Sequence, residues 1–217
     1  MNSDVVSNAV ARPRVLVLMG GPDAEREVSI MSGTEVAKAL SSTSAFDVIP
    51  LTITRMTAQE LLAHRPDAIY PILHGPWGEG GPLQEILEQI ERTNGIGFVG
   101  PRAKPAAIAM NKIATKSIAT AIGVRTPRAR QIARGEALDL DAPLVLKPSD
   151  DGSSVDLRIC HNADEVARGR AELEPRRERL MAEEYIRGRE MTVGIVNGNV
   201  LPIIEILPNT AFYDYEA

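Results

Sequence analysis

Residues 14–19, RVLVLM, form a nearly continuous apolar run that Gly20 and Gly21 cut short. A strand with no polar alternation has to bury both faces, and a parallel sheet covered by helices on either side does this. The segments that follow meet that requirement. From residue 25 to residue 40, Val28, Met31, Val36 and Leu40 recur at helical intervals, and residues 47–52 read as a second strand. Thr57 and Glu60 have the spacing of a capping box that opens a short helix. Residues 68–73 supply a third strand, and Pro82 suits the first turn of a helix running to about residue 91. Strand and helix in regular alternation predict a doubly wound α/β domain. With aromatics at 4%, its core has to be built from Ala, Val, Ile and Leu.

The rhythm changes beyond residue 101. Residues 104–122 read as helices, closed by Gly123 with Pro127 beyond. Next come a strand at 144–147, a polar loop, a strand at 157–159 and a helix capped by Asn162 with Glu165 three residues on. Residues 181–184 suit a further strand, and 192–207 predict a hairpin about Asn197-Gly198, a type I′ turn pair. This second region is α+β with an antiparallel component, and the segment 101–105 is the expected boundary.

Several function classes are disfavoured. Twenty-four basic against 29 acidic residues, a net charge of −5, argue against a general nucleic-acid binder. The single Cys160 rules out an internal disulfide and a cysteine-rich zinc site, and His64, His74 and His161 are too scattered for a histidine-based metal site. No apolar run approaches the roughly 20 residues of a membrane span. The opening MNSDVVSNAVARP lacks the order of a secretory signal, so a short frayed tail on a cytoplasmic protein is expected.

The glycine-rich segments carry the candidate chemistry. Gly20 and Gly21 let the backbone turn before a helix N-terminus that suits a carboxylate or phosphate, although Glu25-Arg26-Glu27 reads equally as a solvated first turn. Lys147 ends an apolar strand and is followed by a loop of glycine and serines. An ammonium, hydroxyls and backbone N–H groups are what a polyphosphate needs, the alternative being a polar turn. The Gly20-Gly21 segment is not GxGxxG, and the Walker sequence GxxxxGK[ST] occurs nowhere in the chain. His74 opens a loop of glycines and prolines at the carboxyl end of the third strand, the edge where open α/β sheets bind ligands, and is as readily a structural histidine. Lys112 taken alone is a surface lysine. Glu183 and Glu190 are acceptors for ribose hydroxyls or an exocyclic amine, or else exposed acids flanking Gly188. Cys160 reads as packing, and Trp77 stays open between a hydrophobic plug and a ligand contact.

Taken in order, GGPDAEREVS with Ser32-Gly33, HGPWGEGGPLQ, Ala109-Met110-Asn111-Lys112, LKPSDDGSSV, Glu183-Glu184-Tyr185-Ile186 with Gly188 and Glu190, and Phe212-Tyr213-Asp214-Tyr215-Glu216-Ala217 resemble the D-alanine–D-alanine ligases of the ATP-grasp superfamily. The resemblance implies a tail at 1–13, an N-terminal substrate-binding α/β domain at 14–103, a central α+β ATP-grasp domain at 104–191 and the start of a C-terminal ATP-grasp domain at 192–217. It also implies a reaction: ATP phosphorylates one D-alanine, and a second D-alanine attacks the acyl phosphate to give a dipeptide for peptidoglycan. By this resemblance Glu25 holds the first D-alanine's ammonium and His74 lies near its carboxylate. Lys112 and Lys147 meet the ATP phosphates, and Ser153 bonds Glu25 and a mobile-loop tyrosine. Ser154 covers the phosphates, Glu183 and Ile186 contact adenine, and Glu190 binds ribose.

The departures are Gly80 where many relatives have aspartate, which alters loop shape, Asp156 in place of glycine, and Glu184 in place of lysine. Asp156 is expected to repel a triphosphate unless its side chain faces solvent. The family's Lys-Tyr pair, transition-state arginine and ligands for Mg2+ (or Mn2+) are expected beyond residue 217. These 217 residues alone are therefore expected to lack appreciable ligase activity. A homodimer formed through the N-terminal domain is also implied. The alternatives are a related ligase using D-lactate or D-serine, or a non-catalytic binding module.

Overall fold

The computed structural model describes residues 11–152 and 154–207. Residues 1–10 of the expected tail, Ser153 and residues 208–217 with their FYDYEA match lie outside the described residues. Pro13, placed in that tail, already accepts a hydrogen bond from the Asp47 amide (2.9 Å). The chain divides into two units between Ala107 and Ile108.

The first unit runs β1 (Arg14–Gly20), α1 (Arg26–Ser42), β2 (Asp47–Ile53), α2 (Ala58–Ala63), β3 (Ala68–Pro71), α3 (Gly75–Gly78), α4 (Pro82–Asn94) and β4 (Gly97–Phe98). Its strands form a parallel sheet in the order β2-β1-β3-β4. The apolar run of β1 is explained by what covers it. Val15, Val17 and Met19 pack with Ala37, Ile30, Val36 and Leu40 of α1 on one face. Leu16 and Leu18 join Leu61 of α2 and Leu83, Leu87 and Ile90 of α4 on the other. Thr57 caps α2 as its spacing predicts, with the Glu60 amide on the Thr57 hydroxyl (3.3 Å) and the Thr57 amide on the Glu60 carboxylate (2.7 Å). From β1 the chain passes to β2 on one side and then to β3 on the other. Connections leaving neighbouring strands in opposite directions open a crevice at the strands' carboxyl ends.

The chain continues through α5 (Ala103–Met110), α6 (Lys112–Ala121), β5 (Ala129–Ile132), β6 (Leu144–Pro148), β7 (Arg158–Cys160), α7 (Ala163–Leu173) and β8 (Leu180–Glu184). The second unit's main sheet is antiparallel, in the order β5-β8-β6-β7. Alternation divides its faces: Ile132, Leu144, Leu146, Leu180 and Ala182 form a core with Cys160 and with Leu173 of α7. Cys160 is thus packing, as its setting suggests. Lys147 and Glu183 point to the opposite face, in register positions offset diagonally across β6 and β8.

The hairpin differs in detail from the sequence expectation. Asn197 and Gly198 both have positive φ (49° and 79°), as the type I′ turn needs, but β10 (Ile195–Val196) and β11 (Asn199–Val200) pair over two residues each. A separate ladder joins β9 (Glu190–Thr192) to β12 (Ile204–Ile206). Pro202 lies in the gap, and a proline has no N–H to give a ladder.

Leu146 has no exposed surface. Leu146→Ala is expected to destabilise the second unit by about 2–5 kcal/mol, read as a lowered urea midpoint, with most of the loss from the cavity left under α7.

Candidate functional site

The first unit's candidates sit on the loops that leave β1 and β3. Gly20 closes β1 at φ +94°, and a Cβ there would fall 2.7 Å from the Ile53 carbonyl, so the turn needs glycine. Arg26 fixes the same turn by donating to the carbonyls of Gly21 (2.7 Å) and Ile53 (2.6 Å). Ser29, fully buried, accepts from the Gly20 amide (2.8 Å) and donates to the Ile72 carbonyl, tying the end of β1 to the chain leaving β3. Glu25 is the residue immediately before α1 and is buried at 9% exposure. A carboxylate held at a helix start and screened from water suits a cationic group of a small substrate.

His74 precedes α3, with its Nδ1 3.6 Å from the Glu79 carboxylate. The loop around it is built by residues that carry no obvious signal in the sequence. Asp23 accepts from the amides of Trp77 (2.9 Å) and Gly78 (3.3 Å), joining this loop to the one that carries Glu25. Buried Gln84 accepts from the Gly81 amide and donates to the Gly78 carbonyl (3.0 Å each). Trp77 packs against the apolar core. At Gly80 a Cβ would lie 2.3 Å from the Pro76 carbonyl, so this loop could not take an aspartate there without moving.

In the second unit the candidates gather on the polar face of the sheet. Glu183, at 8% exposure, pairs with Lys147 and with Lys116 (2.5 Å). Burial would raise its carboxyl pKa, but hydrogen bonds from Lys116 and Lys147 outweigh that and hold it below the ordinary value of 4.5. Lys112 donates to the Asp151 carbonyl, and its amide bonds the Ser149 carbonyl (2.8 Å). Burial and then the charge of Lys147 push the Lys112 ammonium below its usual range, against the pull of Asp151, Asp150 and Glu183. The site therefore has the electrostatics of an anion receptor: crowded ammonium groups, one made uncomfortable by its surroundings.

The loop beyond β6 is shaped by an ion-pair network. Ser154 and Asp156 both have φ of 56°, a region that glycine and, less readily, Asp or Asn occupy. Asp156 bonds Arg177 Nε (2.5 Å) and pairs with Arg176 (3.2 Å), while Arg177 also reaches Asp151 (3.0 Å). This corrects the expectation for Asp156. Its side chain neither faces solvent nor stands as a bare negative charge; two guanidinium groups neutralise it, and its backbone keeps the conformation that a glycine would supply.

Lys112, Lys147 and Glu183 come together on one face, and Lys116 joins them. Lys116 was missed although it lies one helical turn after Lys112, where i and i+4 share a face. Ile186 (57% exposed) and Glu190 are exposed. Glu25 and His74 belong to the other unit. Among the described residues no cluster of three or more His, Cys, Asp or Glu is placed to hold a metal.

Two outcomes test this geometry. Asp156→Ala puts an alanine at positive φ and removes the ion pairs, so amide exchange at residues 154–157 is expected to be faster than in Asp156→Gly, which keeps the backbone freedom. Glu183's lowered pKa contributes stability that is present above its unfolded value near 4.5 and is lost as pH falls through the folded value. In urea titrations from pH 7 to pH 3, the advantage of the native protein over Glu183→Gln should therefore shrink on the acid side.

Residues 116–217 match the family model described as D-ala D-ala ligase C-terminus. A D-alanine–D-alanine ligase of Aquifex aeolicus is 38% identical over 94% of this chain and 69% of its own length. One from Geobacter sulfurreducens is 37% identical over 94% of this chain and 65% of its own. The crystal structure of the Bacillus anthracis D-alanine–D-alanine ligase complexed with ATP superimposes with a TM-score of 0.77 at 31% identity, covering 92% of this chain and 68% of that one. The chain thus spans about two thirds of the length of these relatives.

Proposed function

The chain belongs to the D-alanine–D-alanine ligase family, and from that premise we propose that its protein joins two D-alanines at the expense of ATP. The observation that carries this reading is the cluster of Lys112 and Lys147 beside buried Glu183. It is a cationic site in which burial and then the proximity of Lys147 disfavour the charge on Lys112, and in which an arriving polyphosphate would offset that cost.

In this reading the triphosphate lies against Lys112 and Lys147, with backbone groups around Ser154 covering it. Glu183 and the exposed side chain of Ile186 would take the adenine, and Glu190 the ribose. Glu25 would hold the ammonium of the first D-alanine, and His74, steadied by Glu79, would sit near its carboxylate. One carboxylate oxygen attacks the γ-phosphorus and ADP leaves. The amine of the second D-alanine then attacks the acyl carbon, and the tetrahedral intermediate expels phosphate. The chain's groups act by holding reactants in line and by offsetting charge that grows on transferring oxygens. Magnesium, when bound, would supply further neutralisation of the phosphates; the described residues offer no ligand set for it. The product serves peptidoglycan synthesis, in keeping with a cytoplasmic bacterial enzyme. No helix among the described residues is long and apolar enough to cross a membrane. A homodimer formed through the first unit completes the proposal.

The test is D-alanine-dependent phosphate release from ATP by the polypeptide of the uninterrupted reading frame, with products compared when D-lactate or D-serine is offered. D-Alanyl-D-alanine is expected as the main product. Lys147→Ala should lower kcat/KM for ATP by about 100-fold or more, and Glu25→Gln should raise KM for the first D-alanine. Phosphate release indifferent to D-alanine would defeat the proposal.

A further inference from the structure

We propose that Lys116 is a positioning residue of the nucleotide site, holding the Glu183 carboxylate so that Lys147 can leave it for a phosphate. This rests on the reading of the second unit as a nucleotide site. Glu183 is buried on β8, and its two oxygens are divided between two lysines: Oε1 meets Lys116 at 2.5 Å and Oε2 meets Lys147.

The two lysines are not equivalent. An ammonium has three N–H donors, and Lys116 directs bonds to Glu183, to the Thr126 hydroxyl (2.5 Å) and to the Pro127 carbonyl (2.9 Å). Its capacity is taken up by the protein, and the chain beyond α6 is folded around it. Lys147, among the described residues, bonds only Glu183, and it stands near enough to Lys112 to depress that group's pKa. An anion entering between Lys112 and Lys147 therefore competes with one bond of Lys147 and with none of the bonds of Lys116.

The consequence lies with Glu183. If Lys147 turned to a phosphate and nothing else held Glu183, a carboxylate at 8% exposure would be left without a countercharge, which is strongly unfavourable. Lys116 removes that obstacle. It keeps the carboxylate ionised and fixed in direction while Lys147 moves, so Glu183 can accept from an exocyclic amine of the base. Lys112 and Lys116 lie one turn apart on α6, so one helix sends an ammonium toward the phosphate loop and another toward the base-facing carboxylate.

The experiment is calorimetric titration of the protein with ADP and with GDP, each with magnesium, for the native protein, Lys116→Met, Lys116→Arg, Glu183→Gln and the Lys116→Met/Glu183→Gln double variant. Thermal unfolding of each variant is followed in parallel. The native protein should prefer ADP. Lys116→Met should weaken ADP by about tenfold or more while leaving GDP little changed, since truncating one partner of a buried charge pair strands the other. Lys116→Arg should recover most of the loss, and in the Glu183→Gln background Lys116→Met should cost less than about twofold. Equal loss in both backgrounds, as general loosening of α6 would give, overturns the role, and so does an unchanged ADP affinity in Lys116→Met. A native protein that binds neither nucleotide overturns the nucleotide reading and this role with it. ADP binding by the native protein that Lys116→Met leaves intact overturns this role alone.

Discussion

Because β1 has helices on both faces, its side chains are spent on packing, and the chemistry of the first unit has to sit where the strand ends. The sheet order sharpens that constraint. With β2 on one side of β1 and β3 on the other, the loops after β1 and β3 flank one crevice, and these loops carry Glu25 and His74. Asp23, Arg26, Ser29 and Gln84 then spend their polar atoms on backbone groups of the two loops. The buried strand thus defines the place, and a layer of ordinary polar residues defines the shape.

The second unit solves a different problem, the gathering of positive charge at a partly buried site. An antiparallel sheet supplies a polar face, and Glu183 makes it tolerable to bring Lys116 and Lys147 together there. Arg176 and Arg177 play the complementary part at the loop, where Asp151 and Asp156 are the charges to be offset. Each side uses carboxylates and cations as mutual scaffolding. The overall charge of −5 consequently says little about the local field that an anion would meet.

Periodic elements were legible in the sequence for simple reasons. β1 shows as an unbroken apolar run, α2 and α7 by their caps, and the Asn197-Gly198 turn by its need for positive φ. The elements missed were short: β4 has two residues and α3 has four, too few for a period to register. β5 (ARQI) was missed because its polar positions gave no clean alternation, although it pairs in full with β8. The hairpin is not continuous because Pro202, which has no N–H to give, lies between its two ladders.

Sequence by itself determined the fold class and the antiparallel character of the second region, and it singled out Glu25, His74, Lys112, Lys147 and Glu183 as candidates, since period, turn chemistry and motif order are local properties. Only the tertiary structure decided how charge is shared among them. That Lys116 joins Glu183, that Gln84 and Asp23 shape the His74 loop, and that Asp156 is neutralised by Arg177 all depend on residues far apart in the chain. A carboxylate's effect is set by what lies within a few ångströms of it, and at such ranges folding brings together groups whose spacing in the sequence carries no sign of their meeting.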